Sequence, residues 1–279
     1  MGKNMFVEEL QRLDVAGAER LIIEFIKDVV KDREVVFGLS GGLDSSTTAG
    51  ILARALRRDN ILALVMPEAT STPKVDLEDA VKVAEIFGLR YKIIEISEIV
   101  ESFLKHVGRF GDRVAEGNLK ARIRMTILYY FANVEKRIVV GSGDRSELAI
   151  GYFTKYGDGG VDILPIGGLY KTQVRLLAKH LGVPDEIAEK QSSPRLWPGH
   201  SIKEELGMDY DMIDAVLYYH LDLGYGFSKI VEIVGEENRQ KVETVLRRVI
   251  ENAHKLSTPP IARLPPSVLF GRGAVKRSP

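Results

Sequence analysis

The sequence predicts a doubly wound α/β domain, a parallel sheet with helices on both faces. Three observations carry that prediction. From residue 35 to residue 143, short apolar runs alternate with segments of helical periodicity, the order of βαβ units rather than hairpins. The apolar runs at 35–40 and 137–143 end in glycine and serine, where a parallel strand turns into its next helix. The 279 residues suffice for one such domain with appendages and fall short of two full enzyme domains in series.

Each element has its own justification. VAGAERLIIEFIKDVVK (15–31) places Leu21, Ile22, Phe25, Ile26 and Val29 at helical spacing. VVFGLS (35–40) reads as the first strand, and 45–58 as a helix with Ile51, Leu52, Ala55 and Leu56 on one face. ILALVMP (61–67) is the second strand; 75–88 is a helix stopped by Gly88; YKIIEI (91–96) is the third strand. Residues 118–136 form a long helix with the stripe Leu119, Ile123, Ile127, Phe131 and Val134, followed by the strand RIVVGSG (137–143). Asp144 is placed to cap a helix over 144–152. KYGDGGVD (155–162) is too glycine-rich for regular structure, and 169–182 is a helix ended by Gly182. Residues 191–205 read as a long loop of the kind that forms lids, and 210–252 as mostly helical. Residues 252–279 hold five Lys/Arg, no acid and five of the 11 prolines, a basic irregular tail. The expected organisation is one domain: an N-terminal helix (1–31), an α/β core (32–190), a lid loop (191–205) and a helical C-terminal region with its tail (206–279).

Composition excludes several function classes. With no cysteine, disulfide scaffolds, thiolate metal sites and thiol nucleophiles are ruled out. Lys+Arg and Asp+Glu both total 39, so the broad basic excess of a nucleic-acid surface is missing and no nucleic-acid partner is expected. No window has the apolar length of a membrane span, and the start MGKNMFVEEL carries acids where a signal peptide needs an apolar run. The expected compartment is the cytoplasm.

The sharpest signal is Gly38-Leu39-Ser40-Gly41-Gly42-Leu43-Asp44-Ser45-Ser46, set between an apolar strand and a helix. Glycines bring backbone N–H groups close to a ligand, and the helix N-terminus adds free N–H groups and partial positive charge. Together they make a phosphate or pyrophosphate site. Asp44 would repel phosphate unless it holds Mg²⁺ bridging phosphate oxygens; the bland reading is a carboxylate capping the helix. The loop is neither Gly-x-x-x-x-Gly-Lys nor a complete Gly-x-Gly-x-x-Gly.

The run SGGLDSS resembles the pyrophosphate loop of the N-type ATP pyrophosphatases, which activate a carboxyl or amide oxygen by adenylylation. Three further blocks narrow the resemblance: Asn118-Leu119-Lys120-Ala121-Arg122-Ile123-Arg124-Met125, Gly141-Ser142 to Glu147 with Gly151 to Asp162, and Ala253-His254-Lys255. In order and spacing, from 38 to 255, they are similar to the short, ammonia-using NAD synthetases. The resemblance implies an adenine-nucleotide alpha-hydrolase-like fold and ATP-dependent amidation of deamido-NAD by ammonia. The route is an acyl-adenylate, giving NAD, AMP and pyrophosphate. It implies ATP as co-substrate, Mg²⁺ as cofactor and a homodimer with deamido-NAD at the subunit interface.

Residue by residue, the resemblance assigns Gly38 to Ser45 and Ser142 to ATP, Asp44 and Glu147 to the metal, and Arg122, Lys155, Asp162, His254 and Lys255 to deamido-NAD. Arg suits the pyrophosphate and carboxylate of that substrate; on chemistry alone, Lys120, Arg122 and Arg124 could equally be a solvated helix face. Asp44 and Glu147 can meet only if their strand ends lie side by side. Asp158 is expected to take a proton from ammonium, since only neutral ammonia has a free lone pair; a plain turn aspartate is the alternative. Lys190 is expected at the ATP phosphates, stabilising the departing pyrophosphate, or else to pair with a helix C-terminus.

The chain departs from its relatives in places. Where they commonly carry Gln-x-Asp-Glu in the lid, this chain has His200-Ser201-Ile202-Lys203; where they often have threonine at the ATP site, it has Asp209. The segment 61–71 lacks the arginine and glutamine that some bacterial relatives direct at ATP. Other readings are a GMP-synthetase-type amidating ligase, a tRNA-modifying protein with the same loop, and a family member that binds nucleotide without turnover. The 118–125 and 151–162 blocks oppose the first, and the missing cysteine opposes thiolating members of the second. It also makes free ammonia the expected nitrogen donor within this polypeptide, since glutamine-using relatives carry an amidase domain with a cysteine nucleophile.

Overall fold

A computed structural model describes residues 8–269 apart from 192, 194 and 198. The last ten residues of the expected basic tail, with three of its five cations, lie outside the described residues. Asp14 accepts a hydrogen bond from Gly17 N at 3.0 Å and opens α1 (Val15–Val30). The core then runs β1 (Val35–Gly38), α2 (Leu43–Ala55), β2 (Ile61–Val65), α3 (Lys74–Phe87), β3 (Arg90–Ile93), α4 (Ser97–Val107), α5 (Arg113–Glu135), β4 (Ile138–Val140) and α6 (Arg145–Ile150). After the glycine-rich stretch come α7 (Lys171–Leu181) and the short α8 (Asp185–Ala188). The C-terminal region holds α9 (Ile202–Leu206), α10 (Tyr210–Leu217) continued by a π-helical turn to Asp222, α11 (Phe227–Val234), α12 (Arg239–Asn252) and α13 (Pro266–Leu269).

The sheet order is β3-β2-β1-β4, all parallel, with Val35 registered to Ile61 on one side and Ile138 on the other. Alternation along β1 divides the core. Val35 and Phe37 pack with Ile26 of α1, Ile51 and Leu52 of α2, Val83 of α3 and Leu177 of α7. Val36 packs on the opposite face with Val100 of α4 and Leu128 and Ala132 of α5. β1, β2 and β4 are apolar and buried on both faces, as a parallel sheet requires, while the edge strand β3 is exposed. A second cluster, built from Ile150, Tyr170, Ile213, Val231 and Val242, holds α10–α12 against α6 and α7.

The expected fold class is the one found, with differences at the element ends. The lid loop stops earlier than 205: Ser201 accepts a hydrogen bond from Glu204 N at 3.2 Å and starts α9. The long helix begins at Arg113 rather than 118, because Asp112 accepts from Val114 N and Ala115 N. α4 was not anticipated, although Val100 is buried and Leu104 packs on its face of the sheet.

Candidate active site

All four strands point their carboxyl ends to one side, and a cavity of about 570 Å³ opens there. β1 delivers the glycine loop to it. Gly38, Leu39, Ser40, Gly42, Leu43, Asp44 and Ser45 line the cavity. Gly41 faces away: at φ +75° it lies so close to α3 that a Cβ would stand 2.2 Å from Asp76 O. No side chain caps α2 at Gly42, which leaves its first N–H groups available to an anionic ligand. Ser40 Oγ and Ser45 Oγ hydrogen-bond each other at 2.9 Å, and Ser45 Oγ donates to Gly42 O at 3.2 Å. Ser46 is fully buried and does not line the cavity.

Because β1 and β4 are neighbours, Asp44 and Glu147 do come together, with Asp144 as a third carboxylate. Asp144 accepts from Glu147 N at 2.8 Å in a capping box at the start of α6. One oxygen from each of the three acids lies within 4.8 Å of the others. Between them stands a residue that sequence reasoning missed. Lys171, fully buried, donates to Asp44 Oδ2 at 2.7 Å and Glu147 Oε1 at 2.9 Å and pairs with Asp144 Oδ2 at 2.8 Å. Burial pushes the Asp144 carboxyl up to about 7, against the attraction of Lys171 and with the charge of Asp44 adding to the shift. Burial likewise raises Glu147. For Lys171 burial acts downward, but the three carboxylates outweigh it and hold the ammonium well above its ordinary range. Three clustered carboxylate oxygens, with Asp44 Oδ1 buried and unpartnered, fit a hard divalent cation.

Lys190, just after α8, also reaches the loop. Its ammonium donates to Gly41 O at 3.1 Å, to Asp76 Oδ1 at 2.9 Å and to Asp79. Three acceptors take all three protons of the lysine, so Lys190 ties the loop to α3 with a side chain that also lines the cavity. Asp209 is not brought to the cavity; it is exposed and pairs with Lys203 at 3.2 Å.

Ser142 and Glu147 line the cavity at the end of β4, and Asp158 and Lys255 form its far wall. Asp158 accepts from Thr154 N at 2.8 Å. It is open to the cavity yet lies deep in the protein mass, and that loss of solvation raises its carboxyl. Lys255 donates to Gly151 O at 2.6 Å and Phe153 O at 3.0 Å, and desolvation lowers it. Arg122, Lys155 and His254 meet just outside: Arg122 donates to Lys155 O at 3.3 Å and Lys155 Nζ to His254 O at 2.8 Å. Asp162 stands apart, accepting from Val139 N at 2.8 Å and Tyr129 OH at 2.9 Å.

The positive helix face of α5 is not simply solvated. Lys120 is buried and pairs with Glu68 at 2.8 Å, while Arg124 lines the cavity and donates to Met66 O at 3.0 Å. His200, at the first departure from relatives, is buried in a ring stack on Trp197 at 3.5 Å and bonds Tyr152 OH and Glu205.

Comparison with known proteins finds relatives over most of the chain. The profile of the NAD synthase family matches residues 19–259. The NH3-dependent NAD synthetase of Hyperthermus butylicus is 52% identical over 257 residues, covering 91% of this chain and 93% of that protein. The namesake of Archaeoglobus fulgidus is 48% identical over 246 residues, with 87% and 95% covered. Among solved structures, the NH3-dependent NAD synthetase of Campylobacter jejuni superposes with a TM-score of 0.75 at 33% identity, covering 90% of this chain and all of that one. An NMN synthetase of Francisella tularensis superposes with a TM-score of 0.78 at 30% identity, with the same coverage.

Proposed function

The chain belongs to the NAD synthase family, and from that premise we propose how its residues divide the work of amidating deamido-NAD. The enzyme is a ligase that uses ATP and ammonia, forms an acyl-adenylate, and gives NAD, AMP and pyrophosphate. A carboxylate is a poor electrophile because hydroxide leaves badly; adenylylation supplies a better leaving group. The nicotinate oxygen attacks the α-phosphorus, the bond to the β-phosphate breaks, and pyrophosphate leaves. Ammonia then attacks the acyl carbon and the bond to AMP breaks.

The observation that carries the assignment is one cavity walled by the glycine loop, Asp44, Glu147, Lys190 and Asp158. The N–H groups of Gly38 to Ser45 and the start of α2 receive the phosphates, and Ser142 contacts ATP from the β4 side. Asp44 and Glu147, with Asp144 beside them, would hold Mg²⁺, whose charge would offset that of the phosphates. Lys190, which lines the cavity, stabilises the departing pyrophosphate, and Lys171 positions Asp44 and Glu147, the proposed metal ligands. Asp158 takes the proton from ammonium, with Lys255 beside it favouring the carboxylate. Arg122, Lys155 and His254 form a rim for the dinucleotide, with Asp162 as a further contact to it.

A homodimer is supported by apolar side chains left open on α4 and α5: Phe103 46% exposed, Val107 58%, Tyr130 68% and Val134 65%. Arg122 of the rim lies on the same long helix. A cytoplasmic site of action fits the described helices, none of which is long and apolar enough to cross a membrane.

The test is incubation with ATP, Mg²⁺, ammonium and deamido-NAD, following NAD and AMP in equal amounts, with nicotinate mononucleotide as the competing acceptor. Binding of deamido-NAD without NAD formation would make the chain a binding protein. Light scattering should return twice the monomer mass, and Phe103→Asp should return the monomer.

A further inference from the structure

We propose that Asp76 is the positioning residue that holds the described residues of the 189–201 segment across the phosphate loop; the proposal rests on the nucleotide site described above. Asp76 lies in the first turn of α3 and is 3% exposed. Its two oxygens receive cations from two points of that segment: Oδ1 from Lys190 Nζ at 2.9 Å and Oδ2 from Arg195 Nε at 2.8 Å. Lys190 is held in turn by Asp79 and by Gly41 O. One buried carboxylate thus joins α3, the glycine loop and the crossing segment.

The charges explain why an acid can sit there. A carboxylate beside an anion site opposes phosphate. Asp76 and Asp79 are met by Lys190 and Arg195, so the group is neutral as a whole. Arg195 adopts φ +51°, a left-handed conformation that a non-glycine residue holds only under constraint, and its bond to Asp76 is such a constraint. Two residues on, Trp197 lines the cavity, stacked on His200. Asp76 therefore secures one end of the crossing segment, and His200, bonded to Tyr152 and Glu205, the other. A segment pinned over the loop serves the ATP phosphates and leaves the dinucleotide rim at Arg122 and Lys155 untouched.

Trp197 is the sole tryptophan of the chain, so its fluorescence reports on this segment alone. The test compares Asp76→Asn and Asp76→Glu with the parent, full-length and without ligand, by acrylamide quenching, and then by steady-state kinetics. In Asp76→Asn, Trp197 should become more accessible to quencher. KM for ATP should rise by about 10-fold, the equivalent of one lost charge-assisted bond, with KM for deamido-NAD unchanged; Asp76→Glu should recover part of both effects. Unchanged quenching, an equal rise in both KM values, or lower thermal stability with unaltered kinetics would each overturn the proposal. If Asp76→Asn does not fold, Arg195→Gln removes one of the two partners and should shift quenching and KM for ATP in the same direction. A parent protein that makes no NAD would instead sink the functional reading, while the quenching comparison would still judge the anchor.

Discussion

Asp44 and Lys171 are 127 residues apart in the chain and meet at 2.7 Å, Oδ2 to Nζ. The contact sets one ammonium among three carboxylates that would otherwise repel one another. Removing different members of the group should therefore have opposite consequences for metal binding.

Lys171→Met leaves three acids around an uncharged side chain. We expect a loss of about 3–5 kcal/mol of stability, a larger gain in Tm on adding Mg²⁺ than the parent shows, and NAD formation reduced by about 100-fold or more. Asp44→Ala should stay folded, lose its Mg²⁺-dependent gain in Tm and abolish turnover. Thermal melts with and without Mg²⁺, beside an NAD assay, check both; near-normal activity in Asp44→Ala would remove it from the site.

Gly41 and Gly182 both hold positive φ, +75° and +89°, but only Gly41 has atoms in the path of a Cβ. Gly182→Ala should cost about 1–2 kcal/mol for the left-handed conformation alone. Gly41→Ala should cost about 1–3 kcal/mol more, because it also drives the loop off α3, and it should weaken ATP binding. Urea unfolding of the pair decides; equal costs would mean that the close approach to Asp76 O is unimportant.

Glu68 is buried, which raises its carboxyl, yet hydrogen bonds from Lys120, Ser71 and Thr70 override burial and hold it down at about 2. A depressed carboxylate contributes stability that is present above its unfolded value and lost as pH falls through its folded value. The contribution should reach about 3 kcal/mol near neutrality. Glu68→Gln should thus be less stable than the parent at pH 6, with the gap closing between pH 4.5 and 2. Denaturation curves across that range test the sign; a constant gap would assign the loss to packing.

Asp158 should act only in the second half of the reaction. Asp158→Asn should keep ATP–pyrophosphate exchange in the presence of deamido-NAD and lose NAD formation. In the parent, reduced solvation raises the Asp158 carboxyl, so the acid-side fall in ammonia-dependent rate should begin above the ordinary carboxylate range. Loss of exchange and NAD formation together in the variant would place Asp158 in adenylylation instead.

Much of this was legible in the sequence wherever the signal is local. Gly38 to Ser46 reads as a phosphate loop because its glycines, its serines and the following helix are contiguous. Reading Asp44 and Glu147 as residues after strand ends stated the condition for their meeting, adjacent strands, and the β1–β4 pairing meets it. Lys171 left only a faint trace: a lysine at the first position of a helix opposes the dipole there, which hints that its charge answers to something outside the helix. Asp209 went the other way. Its position in the chain suggested ATP, but it pairs with Lys203 away from the cavity, because what a side chain reaches depends on neighbours that sequence distance conceals.

By itself, then, the sequence determined the strand order in time, the apolar faces, the anion loop and the exclusion of thiol chemistry, since each is a matter of residue type and short-range spacing. Only the tertiary structure decided which charges meet. Lys171 enters the carboxylates, Lys190 and Arg195 fall to Asp76, and Lys120 goes to Glu68 across 52 residues. A buried ion must find its partner where the packed elements bring one, because leaving it unpaired away from water costs more than any local preference can offset.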